Sequence, residues 1–97
     1  MQKWTQEQAV AFEAARECIT ALMAVHTAAL ATEKNRPDPR STVVQELRGE
    51  IARLFAERSA MRVTDDETVA RVLSTYGPQV RAAMERERAR QARSPAE

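Results

Sequence analysis

Few residues in this chain of 97 have the chemistry of a nucleophile or a general base. Its single cysteine, Cys18, and its single histidine, His26, are eight residues apart in a segment with a helical pattern. That spacing separates them by about 12 Å along a helix axis, which is too far for a catalytic Cys-His pair. Two residues are also too few for a zinc site, and no CxxC, HxxxH or ExxH spacing is present. We therefore predict no catalytic, cofactor-binding or metal-binding residue, expect Cys18 in the core, and do not expect an enzyme.

Carboxylates cluster at two places where they could hold a cation. Asp65, Asp66 and Glu67 are consecutive, but they fall in the first turn of a predicted helix, where unpaired amides and the helix dipole favour negative charge. Glu46 and Glu50 are four residues apart, as in helical metal-dependent hydrolases, yet no second pair with this pattern occurs on another helix. Both clusters are expected to serve helix stability and solvation.

A segment in the second half of the chain resembles the helix-turn-helix pattern of DNA-binding proteins. The resemblance covers Val69-Ala70-Arg71-Val72-Leu73-Ser74 followed by Val80-Arg81-Ala82-Ala83. It implies that Ala70 lets two helices cross closely and that Gln79, Arg81 and Glu85 face bases. Three further arginines would meet phosphates, namely Arg86, Arg88 and Arg90. Two departures stand out: Ser74 occupies the position where glycine is commonest, and Gly77-Pro78 places the break about three residues late.

Start signals divide the chain into about four helices. Three threonines are each followed three residues later by Gln or Glu, the capping-box pattern, in the pairs Thr5 with Gln8, Thr42 with Gln45, and Thr64 with Glu67. Gly77 suits a helix end and Pro78 suits the first position of the next helix. The predicted helices cover about residues 6–34, 43–62 and 65–76, with a fourth beginning near residue 78 and turning fully polar beyond residue 84.

These helices predict an all-α bundle. The long first helix carries a broad, alanine-rich apolar arc, and the short linker that follows contains Pro37 and Pro39, which exclude helix. We therefore expect helices 1 and 2 to form an antiparallel hairpin, followed by two shorter helices. Residues 1–93 are predicted to be one helical-bundle domain, and residues 94–97 a disordered tail.

The apolar arc of helix 1 predicts a protein interface. It offers more hydrophobic surface than one medium and two short helices can cover, so part of it is expected to pack on another protein or, most simply, on a second copy in a homodimer. Helix 1 and the end of helix 2 are the predicted contact surface. The candidate interface residues are Trp4, Phe12, Ile19, Leu22, His26, Phe55 and Arg58.

Composition limits the remaining functional classes. Fifteen basic and fourteen acidic residues leave a net charge of +1, so no global field favours nucleic acid or an acidic membrane. GC-rich codons explain the excess of arginine over lysine, and such a genome suggests a bacterial, phage or plasmid origin. A lone cysteine and the lack of a signal-peptide pattern predict a cytoplasmic protein. The leading interpretation is a small adaptor, inhibitor or regulator that binds protein; the alternative is a helix-turn-helix DNA-binding regulator that uses helices 3 and 4.

Overall fold

The computed structural model describes residues 3–93, and all the regular structure in that range is helical. It contains three helices: α1 (Gln6–Lys34), α2 (Ser41–Ala60) and α3 (Asp66–Arg93). The all-α class is confirmed, but the prediction of about four helices is wrong because the last two form one continuous helix. The predicted disordered tail, residues 94–97, lies outside the described residues.

Helix α1 begins as its sequence predicts. The Thr5 hydroxyl accepts a hydrogen bond from the Gln8 backbone N–H at 3.0 Å, and the Gln8 side chain accepts one from the Thr5 N–H at 2.8 Å. This capping box satisfies two amides that a helix start leaves unpaired. The helix ends at Lys34, where the Asn35 N–H donates to the Ala31 carbonyl at 3.1 Å.

The turn between α1 and α2 is held by a carboxylate. Glu33 is buried, and its side chain accepts hydrogen bonds from the Arg40 backbone N–H at 2.8 Å and from the Arg40 guanidinium at 2.9 Å. The Arg36 guanidinium also lies 3.6 Å from the Glu33 carboxylate. The hydrogen bonds from Arg40 are the main reason that the pKa of Glu33 falls from 4.5 to about 2, and the positive charges of Arg40 and Arg36 add to this effect. The predicted capping box of Thr42 with Gln45 is wrong, because α2 begins earlier, at Ser41, directly after Arg40.

The predicted start of α3 is also displaced. Asp65, not Thr64, caps the helix: its carboxylate accepts a hydrogen bond from the Thr68 N–H at 3.2 Å and another from the Thr68 hydroxyl at 2.7 Å. Both bonds lower the pKa of Asp65. A carboxylate in this position also benefits from the helix dipole, so Asp65 replaces the neutral Thr64 as the cap.

Gly77 and Pro78 lie inside α3 and do not end it. A proline normally forces the preceding residue out of the helical region, partly by clashing with its Cβ. Gly77 has no Cβ and keeps a negative φ, so it accepts this contact without taking up the left-handed conformation of a helix cap. The Gln79 side-chain amide also donates to the Thr75 carbonyl at 3.2 Å in the interrupted turn.

Helix α1 is central, and α2 and α3 each pack along it. Arg40 meets Glu33 at one end of the hairpin and Arg58 meets Thr20 further along, so α2 runs antiparallel to α1. The start of α3 bonds to the start of α1 through Asp66 and Gln8, at 3.0 Å, and the two helices run in the same direction. The described chain measures 55 × 33 × 20 Å.

Candidate interaction cleft

The hydrophobic core occupies only one half of the bundle. Its buried members come from the first two thirds of α1, the second half of α2 with the residue that follows it, and the first half of α3: Ala15, Ile19, Leu22, Leu54, Met61, Val69, Val72 and Tyr76. Ile19, Leu54 and Val72 are almost fully buried, and each contributes roughly 1.5–3 kcal/mol through its removal from water. We call this the closed half.

The other half is open. It comprises α1 from Ala24 onward, the first half of α2 and α3 beyond Pro78, and within the described chain none of its hydrophobic residues is fully buried. Val44, Leu47 and Ile51 of α2 are only partly buried there. The three helices therefore leave apolar side chains in reach of solvent at this end.

A cleft of about 580 Å³ lies between α1 and α3 in the open half. Its α1 wall consists mostly of alanine, and its α3 wall is formed by Val80, Ala83 and Met84 with charged residues beyond them. Val25 and Met84 are 37% and 58% exposed, so the two walls of the cleft present apolar surface to solvent. The residues of α1 that line the cleft are Ala21, Ala24, Val25, Ala28, Ala29 and Thr32.

Arginines flank the apolar strip of α3, which we define as Val80, Ala83 and Met84. At helical spacing, Arg86 and Arg90 lie on one side of the strip, and Arg81 and Arg88 lie on the other. Arg90 pairs with Glu87 at 3.1 Å. Within residues 3–93, Arg81, Arg86 and Arg88 make no ion pair, and although Glu85 lies on the same border as Arg81 and Arg88, the borders of the strip carry net positive charge.

A second depression, of about 410 Å³, lies between the starts of α1 and α3. Its lining includes Gln8 and Asp66, which are joined by a hydrogen bond from the Gln8 side chain to the Asp66 carboxylate, and the core residue Val69. Of the Asp65–Glu67 cluster, Asp66 lines this depression, and Asp66 and Glu67 lie in the first turn of α3 as the sequence indicates. Among residues 3–93 no group of three or more His, Cys, Asp or Glu side chains is placed to hold a metal ion.

A polar network connects α2 to α3. The Tyr76 hydroxyl donates to Glu57 at 2.7 Å and accepts from Arg53 at 3.0 Å, and Arg53 also donates to Glu50 at 2.7 Å. Burial raises the pKa of Tyr76, and the hydrogen bond from Arg53 lowers the pKa of Glu50. Every buried side-chain nitrogen and oxygen in the described range has a partner. The network thus ties the helices together and leaves no buried polar atom free for a ligand.

The predicted interface residues separate into two groups. Ile19 and Leu22 are core residues, so the expectation that they contact a partner is corrected: the packing of α2 and α3 on α1 covers them. Phe12 is partly buried against the same core, with the Arg16 guanidinium 5.9 Å from its ring centre. His26 is partly buried on α1.

The exposed members of that set lie away from the cleft. Trp4 is 40% exposed before α1. Phe55 is 54% exposed near the end of α2, beneath the Arg58 guanidinium at 5.4 Å, and Arg58 also donates to the Thr20 hydroxyl at 2.9 Å. The cleft was not predicted from the sequence, although the alanines of α1 that line it indicate a surface that another helix can approach closely.

The predicted nucleic-acid contacts all lie on α3. Gln79, Arg81, Arg86, Arg88 and Arg90 are exposed on a helix that continues from Asp66 to Arg93. The helix-turn-helix geometry expected of this segment is not present, because no turn separates a first helix from a recognition helix within Asp66–Arg93. Nucleic-acid binding by these residues stays a prediction. Ala70 therefore borders the depression at the start of α3 instead of a helix crossing.

No protein family, curated protein or solved structure matched this chain when it was compared with known proteins. Within residues 3–93 no helix is long and apolar enough to cross a lipid bilayer. The geometry of the cleft and the charges beside it are therefore the basis for a functional proposal.

Proposed function

We propose that this protein is a small, non-enzymatic interaction protein that binds a helix of another protein in the cleft between α1 and α3. The single observation that carries the proposal is the open half of the bundle, where the core stops while apolar side chains continue along two helices. An amphipathic helix laid into a hydrophobic groove is a common mode of peptide recognition. Such a protein acts as an adaptor, inhibitor or regulator by tethering or occluding its partner.

The dimensions of the cleft suit a short helix. Its α1 wall extends from Ala21 to Thr32, which corresponds to about 16 Å of helix length. A partner segment of about three turns would cover this wall. Because alanines form it, the partner's backbone can approach α1 closely, as in tightly packed helix pairs.

Catalysis is not part of the proposal. Cys18 is partly buried and packs against the core, and His26 lies two turns further along α1. Their separation of about 12 Å prevents a shared reaction site. The lone cysteine also supports a reducing, cytoplasmic compartment as the site of action.

Designed helical peptides can stand in for the partner and test the proposal. The probes are three 14-residue helical peptides with the same Leu/Ala apolar face and acidic, neutral or basic polar faces. NMR chemical-shift mapping on the full chain should show at least one peptide perturbing Ala24, Ala28 and Met84. Ala28→Arg should abolish the perturbation, whereas Ala52→Arg, at an exposed position of α2, should preserve it. Failure of all three peptides to perturb the cleft at millimolar concentration would refute the proposal.

A further inference from the structure

The charges beside the cleft differ from those of the protein as a whole. Between residues 80 and 93 the sequence has five arginines and two glutamates, while the complete chain has a net charge of only +1. The positive charge is therefore concentrated along the part of α3 that borders the cleft. A binding partner must accommodate this local field.

Helix stability accounts for only some of these arginines. Arg90 and Arg93 lie in the last turn of α3, where positive charge offsets the negative end of the helix dipole. Arg81, Arg86 and Arg88 lie before that turn, and none of them forms an ion pair within the described chain. Arg86 lines the cleft, and Arg81 and Arg88 lie on the opposite border of the strip, outside the cleft lining, so their arrangement follows the strip and not the helix end.

We propose that the occupant of the cleft is an acidic amphipathic helix of another protein, with its apolar face on the alanine wall and carboxylates on both sides facing Arg81, Arg86 and Arg88. This inference rests on the proposed function and specifies the chemistry of the partner. Arginine forms paired hydrogen bonds with carboxylates, which gives such a helix a defined rotational setting in the cleft.

A second copy of this chain is a poorer occupant. In a symmetric dimer through this surface, both copies would contribute the same positively charged α3 border to one interface. Like charges placed opposite each other across an interface disfavour that pairing. The phosphates of duplex DNA would pair with the arginines, but DNA would leave the apolar surface of Val25, Met84 and the alanine wall uncovered.

Fluorescence anisotropy with the three labelled peptides tests the inference. The acidic peptide should bind tightest, and its affinity should fall as salt rises. Arg81→Gln combined with Arg88→Gln should weaken the acidic peptide by roughly fivefold to tenfold, since each exposed ion pair changes affinity about threefold. The neutral peptide should be unaffected by this double variant. Arg48→Gln with Arg62→Gln is the matched control, because it removes the same charge from exposed positions outside the strip.

The possible results separate the two proposals. Equal binding of all three peptides, or preference for the basic one, would overturn the acidic partner while leaving a helix-binding cleft in place. No binding by any peptide would overturn both. A concentration-dependent dimer that Ala28→Arg disrupts, measured by sedimentation, would identify a second copy as the occupant. Binding of a labelled DNA duplex that is lost with Arg81→Gln and Arg88→Gln but kept with Ala28→Arg would assign the arginines to nucleic acid.

Discussion

Truncation of two leucines on α2 measures how far the core extends. Leu54 is fully buried in the closed half, and Leu47 lies two turns earlier on the same side of the helix but is only partly buried. Leu54→Ala removes well-packed atoms and leaves a cavity, so it should cost about 3–4 kcal/mol of unfolding free energy. Leu47→Ala removes atoms that are only partly buried, so it loses only part of the free energy of transfer from water and should cost about 1 kcal/mol.

Urea unfolding at 25 °C, followed by circular dichroism at 222 nm, gives both values. With an m value on the order of 1.5 kcal/mol/M, Leu54→Ala should lower the urea midpoint by about 2 M and Leu47→Ala by less than about 1 M. Unchanged m values would show that both variants unfold to comparable states. Equal losses for the two variants would refute the division into closed and open halves, because they would mean that Leu47 is packed as tightly as Leu54.

Three further substitutions probe the local structure. Thr5→Ala removes the capping box of α1 and should cost about 1 kcal/mol in urea unfolding, while Thr42→Ala should change stability by less than about 0.5 kcal/mol. Gly49→Ala should stabilise the protein by about 0.5–1 kcal/mol, because the added Cβ meets no atom within 4 Å; a loss of stability would contradict that placement. Arg40 lowers the pKa of Glu33 from 4.5 to about 2. Ionised Glu33 therefore adds its full contribution to the free energy of unfolding above pH 4.5, and this contribution is lost as the pH falls towards 2. Glu33→Gln should remove this part of the acid dependence of the melting temperature. Identical pH profiles for the variant and the parent chain would contradict a stabilising bond between Glu33 and Arg40.

The helical class and the start of α1 were predictable because they depend on local sequence. Thr5 and Gln8 form a capping box that involves no residue outside one turn. The other starts depend on tertiary or competing contacts: Arg40 precedes α2 because Glu33, seven residues earlier, binds it. At α3 the carboxylate of Asp65 takes the role that the pattern assigned to Thr64.

The continuity of α3 and the position of the cleft could not be predicted from local sequence patterns, because both depend on tertiary packing. A Gly-Pro pair usually ends a helix, but here Gly77 is buried and the helix passes through it, so packing on α1 overrides the local preference. The broad apolar arc of α1 indicated an interface, yet it could not show which part α2 and α3 would cover. Ile19 and Leu22 became core, and the alanines beyond them line the cleft instead.

Pro78 marks the border between the two halves on α3. The buried residues of this helix, Val69, Val72, Tyr76 and Gly77, all precede it, and none of the described residues after it is buried. Beyond Pro78 in the described chain, the contact with the core continues only through partly buried Val80, so the core thins out across the proline. A proline also lacks the amide that would bond the preceding turn, which makes bending at this point less costly than elsewhere in α3. The core and the cleft thus share one continuous helix, in which apolar burial decreases beyond Pro78.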